Sequence, residues 1–299
     1  MNYALHILVY FEIYAIFALS LNLVVGYCGL FTLSHAGYFA IGAYTYAILS
    51  VSKGFAFLPA TLAGCLIAGI GSLAVSLFAW RFRGDTFVVA TLAVQAVIFS
   101  TLNNWFSVSD PVGSFSNLTN GPYGISAIPH TRVWGYSTDS AIAMLVIGGV
   151  LLCVCLFCFQ RLLASPWGRL VRAMRDDELA ARSLGKNTRL VKVQAIGIAC
   201  VTAAIAGSLY AAHVRYIDPS LASFNENILV LAMLVVGGTG NLRGPLVGAA
   251  LLTCMPEVLR LIAFPDALSA NIRLLVYGLT LSILMHTRPQ GVAGEYRLQ

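Results

Sequence analysis

Residues 4 to 25 read ALHILVYFEIYAIFALSLNLVV, twenty-two positions that hold one acid, Glu12, and no lysine or arginine. As a helix this stretch rises about 33 Å, enough to cross a hydrocarbon core about 30 Å thick. It reads as a retained first span, because no basic segment precedes it and no small-residue cleavage site follows it. The same pattern then recurs. Apolar runs of helical length lie at about 34 to 50, 56 to 80, 86 to 102, 140 to 160, 193 to 213, 227 to 237, 245 to 262 and 271 to 287. The run at 227 to 237 is too short to cross unaided. It extends backward through Ser223 or forms half of a broken helix, since the flexible GGTGNLRGP follows at once.

Composition agrees with this pattern. With 59% apolar residues, 10% charged residues and a mean hydropathy of +0.82 over 299 positions, the chain has too little polar surface to face water as a globule. The expected fold is an all-α integral membrane protein. It is a polytopic helical bundle of about eight or nine transmembrane segments, some short or broken, forming one domain over residues 1 to 299. The net charge of +6 does not point to nucleic acid, because eight of the 18 Lys and Arg residues sit between Arg161 and Lys192. Basic residues collect on the cytoplasmic side of a membrane protein. The loop at about 161 to 192 is therefore expected inside, and the loop at about 103 to 139, whose one basic residue is Arg132, outside. Alternation then puts Arg81, Arg83, Arg243 and Arg288 inside, the N-terminus outside and the C-terminus inside.

Six of the seven cysteines (Cys65, Cys153, Cys155, Cys158, Cys200 and Cys254) lie in apolar runs and read as small hydrophobes. Cys153, Cys155 and Cys158 are spaced so that a helix points them in different directions, which argues against a shared metal. Asn117-Leu118-Thr119 is a formal glycosylation sequon with nothing else in its support. Glu257 and Arg260, one turn apart, read as a local ion pair.

Three features stand out as candidates for function. Glu12 and His35 are ionisable groups in or beside apolar helices, where an unpaired charge costs at least a few kcal/mol and implies a partner or a watery cavity. Small residues recur at the spacing of close helix contacts (Gly64/Ala68, Ala203/Gly207, Gly244/Gly248) and cluster around Ser34, His35, Gly37 and Gly42. Such a surface suits a path or a helix interface. VVGYCG at 24 to 29 is echoed by VVGGTG at 235 to 240, which brings Gly237, Gly238 and Gly240 into the same group. The echo is compatible with an internal repeat and equally with chance.

The third feature is SPWGRLVRAMRDDELAARSLGKNTRLVK, residues 165 to 192. Trp167, Leu170, Val171 and Met174 form an apolar stripe at helical spacing. A short second helix follows: Asp176, Asp177 and Glu178 suit its positive N-terminal end, Arg182 its last turn, and Gly185 its termination. A short cytoplasmic helix of this kind can dock a partner, or the basic amphipathic stretch can rest on anionic headgroups.

At these residues the chain resembles the permease subunits of ATP-binding-cassette importers for branched-chain amino acids, in particular the M-type member of the permease pair. The resemblance runs through SLNLVVGYCGLFTLSHAGYFAIGAY (20 to 44), RFRGDTFVVATLA (81 to 93), LTNGPYGI (118 to 125), SPWGRLVRAMRDDELAARSLG (165 to 185), VVGGTGNLRGPLVGA (235 to 249) and RPQG (288 to 291). It implies a bacterial inner-membrane subunit that pairs with a second permease, two cytoplasmic ATPases and a periplasmic substrate-binding protein. ATP and Mg would sit on the ATPases, and no cofactor on this chain. The resemblance also implies that Asp176, Asp177, Glu178, Ala180, Ala181, Arg182 and Gly185 seat in an ATPase. One departure bears on those contacts: loops of the wider superfamily read Glu-Ala-Ala, three residues, then Gly, whereas here Leu179 precedes Ala180 and Ala181, and the later apolar-proline portion is missing. The chain has no GxxxxGK[ST] loop to hold a nucleotide, and no catalytic residue is expected on it. Alternative readings are a secondary transporter with Glu12 or His35 as proton carrier, a relative that moves urea or short amides, a membrane-embedded assembly subunit, and least of all an intramembrane enzyme.

Overall fold

The computed structural model describes residues 2–82, 84–107, 109–129, 132–133, 136–137, 141–261 and 278–279. The expected span at 271 to 287, Arg83, Arg288 and the side chains of Glu257 and Arg260 fall outside the described residues. What is described is a bundle of helices. In chain order these are α1 (Asn2–Asn22), α2 (His35–Lys53), α3 (Phe57–Arg81), α4 (Asp85–Asn104), α5 (Ala141–Ala164), α6 (Pro166–Asp176), α7 (Glu178–Ser183), α8 (Thr188–Val214), α9 (Phe224–Gly237) and α10 (Arg243–Leu261). Five of the apolar runs form helices long and apolar enough to cross a bilayer, the first carried on to Tyr27 by a π-helical turn, Leu23–Tyr27.

Two kinds of helix surface separate the centre from the periphery. Along α3 the residues Leu62, Leu66, Ile70, Leu73 and Leu77 form one exposed stripe, and Ile142, Val146, Val150, Val154 and Phe157 form another along α5. Apolar side chains exposed in rows are what a lipid-facing surface presents. By contrast α8 and α2 lie inside. The centre of the bundle is built from small residues, among them Ala40, Ala43, Ala203, Ala204 and Ala206, all fully buried. Where α2 and α8 cross, a side chain on Gly42 would strike the backbone of Ala204, and one on Gly207 would strike the carbonyl of Phe39. Backbone against backbone is the closest approach two helices can make, and it needs glycine at the crossing.

The expected run at 34 to 50 does not simply cross. From Tyr27 the chain runs through a non-helical segment, residues 28 to 34, and α2 begins at His35. His35 lies beside Phe17 and Ser20, well back along α1 from its Tyr27 end. The span is thus part extended chain and part helix, one of the broken spans expected. The run at 227 to 237 is the short α9, which reaches back to Phe224; Ser223 caps it by accepting from the Glu226 amide. α10 follows after the turn around Gly238 and Gly240, both at positive φ (102° and 88°).

At the end of the bundle away from α6 and α7, residues 109 to 129 fold back over the helices. Ile125 and Ile217 pair as an isolated bridge, and Arg215 Nε donates to the Ile128 carbonyl at 3.0 Å. The sequon is not presented for modification: Asn117 is 3% exposed and donates to the Asp110 carbonyl, while Thr119 Oγ donates to the Leu102 carbonyl. Cys155 faces inward from α5 and Cys153 and Cys158 outward, so the three diverge.

Candidate functional site

The segment from 165 to 192 folds as two helices joined at an N-cap. α6 buries Val171 and Met174 from its apolar stripe, and Trp167 Nε1 donates to Gln194 on α8 at 2.8 Å. The stripe therefore packs on the bundle. Asp177 ends α6 in an extended conformation and caps α7, its Oδ1 accepting from the amides of Leu179 (2.8 Å) and Ala180 (3.0 Å). That satisfies two donors at the positive end of a helix only six residues long. Gly185, at φ +73°, closes the helix by donating to the Arg182 carbonyl.

Within α7 the charged residues turn inward. Glu178 Oε1 accepts from Arg182 at 2.6 Å, and Oε2 accepts from Lys192 Nζ at 3.0 Å; Lys192 is only 5% exposed. Thr188 adds its hydroxyl to Glu178, and Arg182 Nε donates to Thr188. This network pins α7 against the start of α8. What faces outward is Asp176, Ala180, Leu179 and Leu184, the two leucines at 66% and 78% exposure. Ala181 is buried. Glu178→Ala strands the Lys192 ammonium without its counter-ion, at a cost of about 3 kcal/mol. Thermal unfolding in detergent should show a lowered midpoint, and Lys192→Met in the same chain should restore most of it.

The candidate path or interface residues fall in three places. Ser34, His35, Gly37 and Gly42 line the buried face of α2 and its start. Ser20 Oγ lies 2.6 Å from the Phe17 carbonyl and 2.7 Å from His35 Nε2, so the hydroxyl bridges the backbone of α1 and the ring. His35 also stacks on Phe17, with ring centroids 5.6 Å apart. Gly237, Gly238 and Gly240 form the α9–α10 turn; a side chain on Gly237 would strike the Gly244 carbonyl. Glu12 points elsewhere, against α5, into the space that Gly148 and Gly149 leave open. It is 9% exposed, and its Oε2 has no hydrogen-bond partner among the described residues.

Sequence reasoning missed the polar residues that make the broken span possible. In lipid a non-helical backbone needs partners from the protein itself. Leu33 donates its amide to Thr91 Oγ1 at 3.0 Å, and its carbonyl accepts from Asn227 Nδ2. Ala36 and Gly37, in the first turn of α2, donate their amides to Asn227 Oδ1 at 2.8 Å and Gln95 Oε1 at 2.9 Å. Gln95 also reaches the Ala222 carbonyl. The available signal was lone amide side chains inside apolar runs: Asn22, Gln95 and Asn227, each 2% exposed or less. A second feature lies along α1, α8 and α9, where Tyr10 packs on Tyr210 and His213, His213 meets His6 at 3.1 Å, and Tyr14 donates to Glu226 at 3.5 Å. His6 is exposed and Tyr10, Tyr14, Tyr210, His213 and Glu226 are half-buried, which makes this a polar seam along the bundle.

The profile of the branched-chain amino acid transport system permease component matches residues 3 to 285. The chain belongs to the family of branched-chain amino acid transport permeases. It is 33% identical to the high-affinity branched-chain amino acid transport system permease protein LivM of Escherichia coli K12, over 96% of this chain and 69% of that one. It is 24% identical to the probable LivM of Methanocaldococcus jannaschii, over 97% and 92%. The LivH permease of Escherichia coli K12 is 26% identical over 80% of this chain and 79% of its own. No solved structure matches the chain. A match of this extent makes the protein a multi-pass permease of the ABC transport class, and neither the secondary transporter nor the enzyme reading is favoured by it.

Proposed function

We propose that the chain is one of two permease subunits in an ATP-driven importer of branched-chain amino acids. Two separate ATPases hydrolyse Mg-ATP, which this chain does not bind itself, and one of them docks on α6 and α7. A substrate-binding protein delivers the amino acid at the opposite face. The orientation follows the basic residues: N-terminus outside, α6 and α7 in the cytoplasm, C-terminus inside the bacterial inner membrane. Alternating access then arises as closure of the ATPases displaces α6–α7 and tilts the helices attached to it.

The observation that carries this reading is the outward face of α7. Leu179 and Leu184 stand exposed to water while Glu178 and Arg182 are tied inward, so the helix is fixed in place and its apolar side is left for a partner. The polar seam of Tyr14, Tyr10, Tyr210, His213 and Glu226 supports a path on the α1–α8–α9 face. A carboxylate suits the ammonium of an amino acid, and phenol and imidazole donors suit its carboxylate.

Reconstitution tests the reading. Proteoliposomes holding this chain, the second permease and the two ATPases should take up leucine, isoleucine or valine only with binding protein outside and ATP within. Uptake driven by an ion gradient in the absence of ATP would overturn it.

A further inference from the structure

The two glycine-rich breaks, VVGYCG and VVGGTG, meet each other at the end of the bundle that carries α6 and α7. Asn22, fully buried on the last turn of α1, sits between them. Its Nδ2 donates to the Asn241 carbonyl at 2.7 Å, and its Oδ1 accepts from the Gly240 amide at 3.3 Å. Asn241 in turn holds the start of α10, its Oδ1 accepting from the Gly244 amide at 2.6 Å. A side chain on Gly26 would strike Asn22 itself and come within 2.9 Å of the Gly240 nitrogen, so the two breaks touch through backbone.

One residue joins this crossing to the proposed docking segment. Arg175, on the last turn of α6, is 12% exposed, and its Nη1 donates to the Gly26 carbonyl at 2.8 Å. That carbonyl belongs to the π-helical turn that closes α1, where carbonyls lie at the negative end of the helix dipole and suit a cation. The stem of the same side chain fills the place where Gly29, at φ +70°, has none: a Cβ there would lie 2.8 Å from Arg175 Cγ. Asp176 sits at 3.2 Å from the guanidinium on its exposed side.

We infer that Arg175 and Asn22 form a mechanical link by which movement of α6–α7 reaches the α9–α10 turn. Arg175 ties the coupling segment to the end of α1, and Asn22 ties the end of α1 to Gly240 and Asn241. Displacement of α6 pulls on the π-helical turn, and the turn carries the second break with it. Both are positioning residues, and the inference rests on the reading that α6–α7 receives an ATPase.

The test uses the reconstituted transporter with Arg175→Met, which keeps the stem against Gly29 and removes the donor, and Arg175→Lys, which keeps a cationic donor. Loss of one charge-assisted hydrogen bond should lower amino acid taken up per ATP hydrolysed by about tenfold in Arg175→Met, with ATPase co-purification retained. Arg175→Lys should recover most of the ratio. Hydrogen exchange gives a second readout that a merely structural role would not move: ATP should alter exchange at the amides of residues 238 to 242 in the unmodified protein, and the response should vanish in Arg175→Met. A ratio of uptake to hydrolysis unchanged in Arg175→Met, or an ATP response at 238 to 242 that persists, overturns the link. Parallel loss of ATPase co-purification and thermal stability also overturns it, since Arg175 would then hold the fold alone. Should the unmodified chain purify without an ATPase, the docking reading itself fails, which is a different result and takes the link down with it.

Discussion

Gly207→Leu should sharply lower the yield and the stability of folded protein in the membrane. Even the first carbon of a side chain at this position overlaps the carbonyl of Phe39 on α2, and it lies 3.0 Å from the Ala43 nitrogen. Backbone cannot step aside as the end of a flexible side chain can, so α2 and α8 must separate along the centre of the bundle. Overpacking of a core costs about 1 to 3 kcal/mol where side chains can adjust, and about 3 kcal/mol or more is expected where they cannot. That lowers the ratio of folded to unfolded protein more than a hundredfold, by order of magnitude. Gly71→Ala is the matching control. Its new carbon would stand 3.5 Å from a Tyr38 ring carbon, an ordinary contact, and alanine favours the helix. Membrane yield and the thermal midpoint of the detergent-purified protein should fall steeply for Gly207→Leu and stay level for Gly71→Ala. Equal stability of the two would mean that α2 and α8 do not cross backbone to backbone.

Ala203 and Gly207 were legible as a close-packing pair from their spacing alone, and so were the apolar runs, because a crossing helix declares itself locally by length and composition. The described helices begin and end within a few residues of those runs. The two helices at 166 to 183 were legible for the same local reason, since Asp177, Arg182 and Gly185 are signals read within a few positions of where they act. What holds the start of α2 was not. Its amides are satisfied by Gln95 and Asn227, which lie 58 and 191 residues away in sequence, and no periodicity links such partners. Glu12 shows the same limit: its position in a span was plain, but the space made for it by Gly148 and Gly149 depends on how α1 and α5 meet. The echo between 24 to 29 and 235 to 240 falls between these cases. Each half was readable, whereas their meeting at Asn22 is a property of the packed bundle.

Leu179→Asp together with Leu184→Asp should release the ATPase docked on this chain while leaving the permease folded and in the membrane. Both side chains are mostly exposed, so the fold loses little when they change, and the network of Glu178, Arg182 and Lys192 that pins α7 is untouched. In a docked complex the same two positions would be desolvated. Truncating an apolar anchor at the centre of an interface costs about 2 kcal/mol or more, and burying an unpaired carboxylate there adds to it. For two anchors the expected loss is about 4 kcal/mol, near a thousandfold in affinity. Co-purification of an ATPase with this chain alone should then fall to background, with the thermal midpoint of the isolated chain nearly unchanged. Asp177→Ala separates docking from local order. It removes the cap that holds two α7 amides, costs about 1 kcal/mol of helix stability, and should weaken ATPase binding only in part. Full ATPase binding by the double aspartate variant would move the contact off α7. Since Leu179 stands where importer loops of the wider superfamily carry an acid, such a result would also mean that this departure has no bearing on where the ATPase sits.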